Sequence, residues 1–318
     1  MKCIGFDTSN YTTSVASFSE GKQINIGKLL PVPESAKGLR QSDALFHHIR
    51  ALPDLTSELI HSVGCGADAV AVSVSPRRAE GSYMPCFLAG HTVAHTLAKG
   101  LGVELYTFSH QEGHLAAAAY SANSQVIFHT PFLAWHLSGG TTELLHCVPS
   151  DDLTFRVECI GGTRDISAGQ CVDRAGVALG LQFPCGIALE KLSLEGQAKS
   201  LYRVKYDDLY FNLSGMENQF TSRIKNGESP EDVAAFVLKS LEEIIVKTTA
   251  NALAKYPGLP VLCSGGVMSC MSLQNRMHSE FGAMTANPQY SRDNALGIAY
   301  LGYLKAGGDP NGFCADRQ

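Results

Sequence analysis

Residues 4–18 read IGFDTSNYTTSVASF, and residues 134–147 read AWHLSGGTTELLHC. Each stretch begins with an apolar strand-like run, passes through small polar residues to a Thr-Thr pair, and enters a second strand-like run. A third run follows each of them, at 23–30 and at 155–162. We interpret the two stretches as copies of one supersecondary unit. Two copies are too few for a solenoid, so they predict two similar lobes that face a cleft.

Strands and helices alternate over the rest of the chain, which is the pattern of an α/β fold. The predicted elements are a strand at 68–75, a helix at 85–102, a strand at 103–109, a helix at 110–120, helices at 167–180 and 186–196, the longest helix at 229–258, and a strand, glycine loop and helix from Leu259. We predict lobe I at 1–127 and lobe II at 128–293, with a C-terminal helix at 294–307 packed on lobe I.

Composition argues against several classes of protein. Only 17% of the residues are charged, the net charge is -5 and no Lys/Arg-rich run occurs, so a stand-alone nucleic-acid binder is disfavoured. RNA held jointly with a basic partner stays open. The cysteines form no C-x-x-C motif, which disfavours a zinc ribbon. No apolar run suits a membrane span or a secretory signal, and we expect a cytoplasmic protein.

Two SGG loops are candidates for anion binding. Ser138–Gly140 and Ser264–Gly266 each follow an apolar strand. Glycine lets backbone N–H groups approach an anion, and a following helix N-terminus favours negative charge. Neither loop is a Walker A loop or a dinucleotide fingerprint. One such loop would be explained as a tight turn, but two of them in a duplicated chain favour phosphate binding.

Three aspartates are candidates for the same region. Asp7 ends the first strand, where it could orient water or a metal, or form an Asx turn. Asp173 is surrounded by small residues that permit close approach of a ligand, although the following Arg174 also fits a solvated position. Asp165 could share a helix face with Asp173 or act as an N-cap.

The stretch SHQEGHLAAAAY, residues 109–120, places two histidines four apart. On a helix His110 and His114 lie on one face and can share a metal. Glu112 lies about 200° round the helix from His110, and Gln111 occupies the place of the base in the H-E-x-x-H protease motif. Peptidase activity is therefore disfavoured. A metal needs a third ligand, and Asp293 is the best carboxylate, although spacing alone does not select it.

Two further histidine pairs have simpler interpretations. His91 and His95 are also four apart, but their helix is mostly apolar, which favours half-buried histidines with satisfied hydrogen bonds. His47 and His48 are interpreted as a solvent-facing surface pair.

Taken in order, eight stretches resemble the glycoprotease-like family of the TsaD type, which has the actin/Hsp70/sugar-kinase fold. They are IGFDTS, SHQEGHLAA, LSGGTTEL, DISAGQCVDRAGVALGL, FPCGIALEKL, FNLSG, CSGGVMS and RDNALGIAYLG. The resemblance covers nearly the whole chain. It implies an α/β fold of two duplicated lobes around a nucleotide-binding cleft. The family reaction moves a threonylcarbamoyl or carbamoyl group from an AMP-activated donor to an amine, which in a tRNA is an adenine amine.

The resemblance also implies a ligand set. A divalent metal, Fe or Zn, would be held by His110, His114 and Asp293. An adenine nucleotide or acyl-adenylate would be held by His136, Leu137, Ser138, Gly139, Gly140, Asp173, Gly186, Gly265, Gly266 and Cys270. A protein partner of the same fold is implied as well, and tRNA is possible although the sequence shows no basic patch.

The chain departs from the family pattern on the acceptor side. Tyr11-Thr12 replaces an Asp-Glu pair, Thr141 replaces a histidine, Cys270 replaces an asparagine, and a loop with Arg77 and Arg78 replaces Gly-Pro-Gly. We interpret the chain as a divergent paralogue in which the metal and nucleotide half is retained. The two arginines suggest an anionic acceptor or donor, or simply a solvated loop, and with Asp7 they form the predicted catalytic set.

Three functions remain open. The first is a metal-dependent carbamoyl or threonylcarbamoyl transferase, whose activated donor is supplied by another protein. The second is a non-catalytic partner subunit of the same fold, which the retained set His110, His114 and Asp293 disfavours. The third is a kinase of this fold, which would use a carboxylate near the phosphate loops rather than a histidine pair.

Overall fold

The computed structural model describes residues 1–9, 11–31, 39–287, 290 and 295–309. Contacts divide the chain into two compact units. Unit 1 is Met1–His129, Pro149–Arg156 and Tyr290–Gln318, and unit 2 is Thr130–Val148 and Val157–Gln289. In this division the short segment 149–156 belongs to unit 1. The lobe boundaries given from the sequence stay a prediction.

Unit 1 is built on a five-stranded sheet in the order β3-β2-β1-β4-β5. Its strands are β1 Lys2–Asp7, β2 Thr12–Ser19, β3 Lys22–Leu29, β4 Ala69–Ser75 and β5 Glu104–Ser109, and its helices are α1 Gln41–Val63, α2 Phe87–Leu101, α3 His110–Ser121 and, after unit 2 in the chain, α9 Leu296–Lys305. The first three strands pair antiparallel, while β1, β4 and β5 run parallel. The parallel part needs crossover helices, and α1 and α2 supply them.

Unit 2 repeats this plan with one strand added. Its strands are β6 Phe132–Leu137, β7 Thr142–Pro149, β8 Phe155–Thr163, β9 Tyr210–Phe211, β10 Val261–Ser264 and β11 Met284–Thr285, and its helices are α4 Ala168–Ala178, α5 Gly186–Ser193, α6 Ser214–Lys225, α7 Pro230–Lys255 and α8 Met271–Phe281. The sheet order is β11-β10-β6-β7-β8-β9. Read from β8 to β11, it matches the order of unit 1, and β6 again pairs antiparallel with one neighbour and parallel with the other. The predicted duplication is confirmed.

Close packing in unit 1 depends on glycines of two facing helices. A Cβ on Gly297 of α9 would overlap the carbonyl oxygen of Gly113 in α3. A Cβ on Gly5 in β1 would stand 2.7 Å from the Cβ of Ala299. The helix α9 therefore lies against both α3 and the first strand, which fixes the position of the helix that carries His110.

Local capping explains where two helices of unit 2 begin. Ser229 caps α7 by accepting from the backbone N–H of Asp232, with Pro230 as the first helical residue, as predicted. Ser167, not Asp165, caps α4. Asp165 instead accepts from the backbone N–H groups of Leu213 and Ser214, at 2.8 and 3.0 Å, where α6 begins. The alternative of Asp165 as the N-cap of α4 is therefore wrong, and its carboxylate holds the beginning of α6 from outside that helix.

The predicted surface location of His48 is wrong. His48 lies on the inner face of α1, is fully buried, and has Nδ1 2.8 Å from the hydroxyl of Thr13 in β2. Burial lowers the pKa of His48 to about 4, so the ring is neutral at physiological pH. Within the described ranges, no helix combines the length and apolar character that a bilayer span requires.

Candidate functional site

The two histidines of α3 converge at the beginning of the helix. Ser109 caps α3, and the carboxylate of Glu112 completes a capping box with the backbone N–H of Ser109. The cap fixes His110 as the first residue of the helix, and His114 follows one turn later. Their Nε2 atoms lie 2.9 Å apart. The sequence prediction that the two rings share one face is confirmed.

This separation fits two ligands of one cation. Two nitrogens that are each ~2.1 Å from an ion lie about 3.0 Å apart at a right angle and about 3.4 Å apart at a tetrahedral angle. The observed separation is close to these values, and it is also the distance of a hydrogen bond between the two rings. Imidazole nitrogens suit Fe and Zn equally well as ligand atoms, so the donor type does not choose between them.

Asp7 lies behind His110. Its Oδ1 is 3.0 Å from Nδ1 of His110, and the carboxylate is fully buried. It also accepts hydrogen bonds from the hydroxyls of Ser9 and Ser73. A carboxylate beside Nδ1 keeps the proton on that nitrogen and leaves Nε2 with a lone pair for a metal. The geometry suits a residue that orients a ligand, and a direct catalytic role of Asp7 stays a prediction.

The predicted third ligand, Asp293, lies outside the described residues. Over the ranges that the structure describes, no group of three or more His, Cys, Asp or Glu side chains could hold a metal ion. The described part of the site is thus a two-histidine pair with a carboxylate behind it.

Arg78 is an ion-pair partner of the same helix. Its Nε and Nη2 lie 3.0 and 3.3 Å from the two carboxylate oxygens of Glu112. Glu112 is only 1% exposed and also accepts from the backbone N–H groups of Ser109 and Phe155. Glu112 therefore bonds away from the histidines, as helix geometry predicts. Arg78 is therefore the ion-pair partner of a buried carboxylate rather than a merely solvated residue, and its catalytic role stays a prediction.

In unit 2 the two SGG loops lie side by side. The strands β6 and β10 pair in parallel, with His136 opposite Ser264, so both loops leave the same edge of the sheet. The hydroxyl of Ser264 lies 3.3 Å from Nδ1 of His136. Gly265 has a φ of +101°, and a Cβ there would overlap the backbone of Leu137. This position requires glycine.

The first loop also contacts the N-terminus of α4. Ser138 Oγ accepts from the backbone N–H of Thr141 at 3.0 Å, which closes the loop into a turn. The hydroxyl of Ser167 donates to the carbonyl of Gly139 at 2.6 Å, and Gly169 N–H donates to the carbonyl of Ser138 at 3.2 Å. A helix N-terminus beside a glycine turn is a favourable place for an anion.

A pocket of about 680 Å³ opens beside this loop. It is lined by Gly139, Gln170, Asp173, Arg174, Val177, Ala178 and Phe183. Phe183 is 73% exposed and Val177 is 56% exposed, so the pocket has an apolar wall next to polar groups. Asp173 Oδ1 accepts from the backbone N–H of Cys185 at 2.8 Å. This hydrogen bond holds the FPCG turn, residues 183–186, whose last residue, Gly186, begins α5.

The remaining predicted residues lie in turns and caps. Cys270 precedes α8, where Glu190 accepts from the backbone N–H of Met271 at 2.7 Å. Burial, with a contribution from Glu190, raises the pKa of Cys270 to about 11, so its thiol is neutral. Tyr11 is 37% exposed in the turn before β2, and Thr12 begins that strand. Arg77 lies in an exposed loop after β4.

Two partners of the site were not predicted. Ser73 donates to Asp7, and Phe155 contributes its backbone N–H to Glu112. Ser73 has a signal in the sequence, because it is a buried hydroxyl in the apolar run of β4. The contact of Phe155 has no signal in the sequence, because any residue other than proline offers the same backbone N–H group.

Comparison with known proteins assigns the family. The family model described as TsaD, tRNA N6-adenosine threonylcarbamoyltransferase, matches residues 34–300. The chain belongs to the TsaD family. It is thus a member of a family of transferases, and the predicted resemblance and enzyme class are confirmed.

Relatives of this TsaD-family chain carry the same description. A tRNA N6-adenosine threonylcarbamoyltransferase of Streptococcus pneumoniae (strain Taiwan19F-14) is 29% identical over 294 residues, which cover 87% of this chain and 83% of the relative. One from Limosilactobacillus fermentum is 26% identical over 323 residues, covering 95% and 90%.

Solved structures confirm the fold. A phosphate- and nucleotide-bound HypF superposes with a TM-score of 0.58 at 14% identity, covering 96% of this chain and 55% of HypF. Component A of (R)-2-hydroxyglutaryl-CoA dehydratase from Acidaminococcus fermentans gives 0.50 at 16% identity, covering 96% and 99%. At these identities the likeness concerns the fold alone. The predicted actin/Hsp70/sugar-kinase-like architecture is confirmed.

Proposed function

We propose that the chain transfers a threonylcarbamoyl group from an AMP-activated donor to the N6 amine of a tRNA adenosine. The description of the family and of the relatives supports the reaction class and the acceptor. The observation that carries the proposal is the pair of Nε2 atoms 2.9 Å apart on α3, with Asp7 behind one of them.

In this proposal His110 and His114 hold a divalent metal, Fe or Zn, and Asp293 completes the set. The bound metal would supply Lewis acidity toward a carbonyl or phosphoryl oxygen. Asp7 holds the proton on Nδ1 of His110, which keeps Nε2 available as a ligand. The buried hydroxyls of Ser9 and Ser73 fix the carboxylate of Asp7 in turn.

We assign the adenylate part of the donor to unit 2. The turn Ser138–Gly140 lies beside the N-terminus of α4, where the helix dipole favours the negative charge of a phosphate. The apolar wall formed by Val177 and Phe183 suits an adenine ring, and Asp173 keeps the adjoining turn in place.

A second candidate is a non-catalytic partner subunit of the same fold. The observations that favour it are Tyr11 and Thr12, which lie where the resemblance implies an acidic pair, and Arg78, which is engaged by Glu112. The intact His110–His114 geometry favours the transferase, because a subunit without catalysis has no need of a metal pair.

The test combines metal content with product formation. Purified wild-type protein, His110→Ala and His114→Ala are analysed for bound metal and for transfer to tRNA in the presence of the donor-forming enzyme. We expect both variants to lose at least about tenfold in metal affinity and in product, since each removes a direct ligand. His95→Ala is the matched control, because it removes one histidine of an i, i+4 pair on α2.

Three other outcomes would each contradict a different part of the proposal. Metal retained at wild-type levels in both variants contradicts the metal assignment. Product formed at the wild-type rate by His110→Ala contradicts the dependence of the transfer on the metal pair, although not the transfer itself. No product from wild-type protein that holds metal and donor favours the partner-subunit candidate.

A further inference from the structure

A small pocket of unit 1 lies where β1 and β3 begin and β2 ends, next to the last residue of α1. Its volume is about 70 Å³, and it is lined by Lys2, Ser17, Ser19, Lys22, Ile24 and Val63. Lys2 and Asp7 stand at opposite ends of the six-residue strand β1, so the pocket lies about 17 Å along that strand from the carboxylate behind His110. None of the roles assigned above uses this pocket.

The strand register places two lysines in one row of the sheet. Lys2 of β1 is opposite Ser19 of β2, and Ser19 is opposite Lys22 of β3. Residues that are directly opposite in antiparallel strands point to the same face of the sheet, and so do residues two apart in one strand. The two lysines therefore flank Ser19 on one face, and Ser17 joins them there. Two like charges on one face repel each other, and an anion between them removes that repulsion.

The two lysines differ in how they are engaged. The Lys2 ammonium donates to the carbonyls of Val63 and Gly64 at 2.8 and 3.1 Å, where α1 ends, and a third N–H of this group is left for another acceptor. The Lys22 side chain makes no ion pair and no hydrogen bond with any residue that the structure describes. Lys22 therefore offers a full positive charge to a ligand.

A buried hydroxyl of the pocket has a donor to spare. Ser17 is 2% exposed, and within the described ranges its hydroxyl makes no hydrogen bond. Buried hydroxyls are normally hydrogen-bonded, because a buried polar group without a partner costs free energy. The hydroxyl of Ser19, in contrast, donates to the carbonyl of Lys22 at 3.1 Å. An acceptor that enters the pocket would satisfy Ser17.

Charge and volume together select the class of ligand. Asp68 accepts from the backbone N–H of Lys2 at 2.7 Å, and Glu20 lies in the turn after β2, but neither carboxylate lines the pocket. The groups that can reach a ligand are hence donors with an excess of positive charge. A volume of about 70 Å³ holds about five water-sized atoms, which is the number of heavy atoms in a tetrahedral oxyanion. A nucleotide is too large for it.

We infer that this pocket binds a small tetrahedral oxyanion such as inorganic phosphate, held by the ammonium groups of Lys2 and Lys22 and by the hydroxyl of Ser17. Lysine binds phosphate as a point charge, and the hydroxyl adds a directed hydrogen bond. The inference goes beyond the proposed function and does not depend on it, because the pocket and the proposed metal ligands lie at opposite ends of the sheet.

Calorimetric titration of the full chain with inorganic phosphate tests the inference. Ionic strength is held constant, because salt screens the lysines. Each titration is run with and without saturating AMP, which occupies the phosphate site proposed in unit 2. The variants are Lys22→Gln and Ser17→Ala. Lys28→Gln is the matched control, because Lys28 is an exposed lysine at the other end of β3 and does not line the pocket. Sulfate and acetate serve as further probes.

We expect phosphate and sulfate to bind the wild-type chain in the presence of AMP, and acetate, which is planar and has two oxygens, to bind far more weakly. Lys22→Gln and Ser17→Ala should each weaken phosphate binding by about 10- to 150-fold, since each removes a hydrogen bond to a charged ligand. Lys28→Gln should bind like wild type.

Thermal unfolding separates binding from a structural role of Ser17. Without phosphate, Ser17→Ala should melt at the wild-type temperature or above it, because the variant removes a buried hydroxyl that has no partner. Phosphate should raise the melting temperature of this variant less than that of the wild-type chain. A lower melting temperature of Ser17→Ala without phosphate would contradict the assignment of Ser17 as a spare donor.

Four other results would overturn the inference. Phosphate binding that AMP abolishes would locate the ion in unit 2. Wild-type phosphate affinity in both Lys22→Gln and Ser17→Ala would show that the ion binds elsewhere, and an equal loss in Lys28→Gln would show a general effect of charge. Acetate that binds as tightly as phosphate, or no saturable heat with phosphate, would show that the pocket is no oxyanion site.

Discussion

At the scale of single residues, the carboxylate of Glu112 links three parts of unit 1. It caps α3 through Ser109, pairs with Arg78 and accepts from the backbone of Phe155. We predict that Arg78→Ala lowers the free energy of unfolding by about 1–2 kcal/mol, because it leaves a buried carboxylate without its cation. The expected loss is small because Arg78 is 48% exposed and water screens the ion pair.

Urea unfolding measures this effect. Arg203→Ala is the control, since Arg203 is exposed and makes no ion pair with any described residue. The double variant Arg78→Ala/Glu112→Gln removes the unpaired charge and should recover part of the loss. Equal midpoints for Arg78→Ala and Arg203→Ala would show that the pair adds nothing to stability.

The buried His48 predicts a pH dependence of stability. Burial lowers the pKa of this ring in the folded state to about 4, whereas in the unfolded chain it is near 6.5. Above pH 6.5 the ring is neutral in both states. As pH falls from 6.5 to 4 the unfolded chain takes up the proton first, so the folded state loses up to about 3 kcal/mol, and below pH 4 the loss is constant.

Comparison of wild type with His48→Gln isolates the contribution of His48 protonation to the free energy of unfolding. Glutamine can still bond to Thr13 but does not titrate. The stability difference between the two proteins, measured by urea unfolding from pH 7 to pH 4.5, should shift in favour of the variant as pH falls. A difference that is independent of pH would mean that His48 titrates normally in the folded state.

Residue spacing predicted some of these side chains and not others. His110 and His114 are four apart, and helix geometry alone places them together. Arg78 meets Glu112 across 34 positions, and His48 meets Thr13 across 35. Such pairs depend on how separate elements pack, which a single sequence does not state. The sequence therefore did not predict that Arg78 is the ion-pair partner of Glu112.

At the scale of elements, the repeated strand–loop–strand pattern predicted the plan of both sheets. The helices α1 and α6 were not predicted, and each lacks a local start signal. The N-cap of α1 is Arg40, which makes no side-chain cap, and Pro53 lies inside the helix. The beginning of α6 is held by Asp165, which lies 48 positions before Leu213. A cap supplied from so far away leaves no capping motif in the sequence.

The contact between α3 and α9 gives the prediction that belongs to this scale. Gly297→Ala should lower the free energy of unfolding by at least about 2 kcal/mol, because the new methyl group would overlap the backbone of Gly113 and force the helices apart. Gly100→Ala on α2 is the matched control. A Cβ there meets nothing within 4 Å, so the variant should be as stable as wild type or slightly more stable.

Thermal unfolding and metal analysis of the two variants provide the check. If α9 positions α3, Gly297→Ala should also hold less metal at equal metal concentration, whereas Gly100→Ala should not. A Gly297→Ala protein with wild-type melting temperature and metal content would contradict the close packing of the two helices.

At the scale of the whole molecule, the duplication separates the two halves of the proposed chemistry. The described candidates for the metal half, Asp7, His110 and His114, lie in unit 1, and the loop and pocket assigned to the adenylate lie in unit 2. Each set is held by hydrogen bonds within its own unit. The repeat in the sequence predicted two similar lobes, whereas the partners of each site residue within its unit required the packed structure.

This separation predicts a double dissociation between metal and nucleotide binding. Asp173→Ala removes the carboxylate that holds the FPCG turn, and we expect it to weaken AMP binding by about tenfold or more, since the freed turn no longer presents a fixed pocket wall. Metal content should be unchanged. His110→Ala should lose metal and keep AMP affinity within about threefold of wild type, because the described residues that line the pocket all belong to unit 2. Metal analysis and AMP calorimetry on the same preparations measure both properties, with Glu195→Ala, an exposed carboxylate of unit 2, as the control.

Loss of both ligands in either single variant would show that the sites are energetically coupled, because mutations that act within independent units should affect only their own ligand.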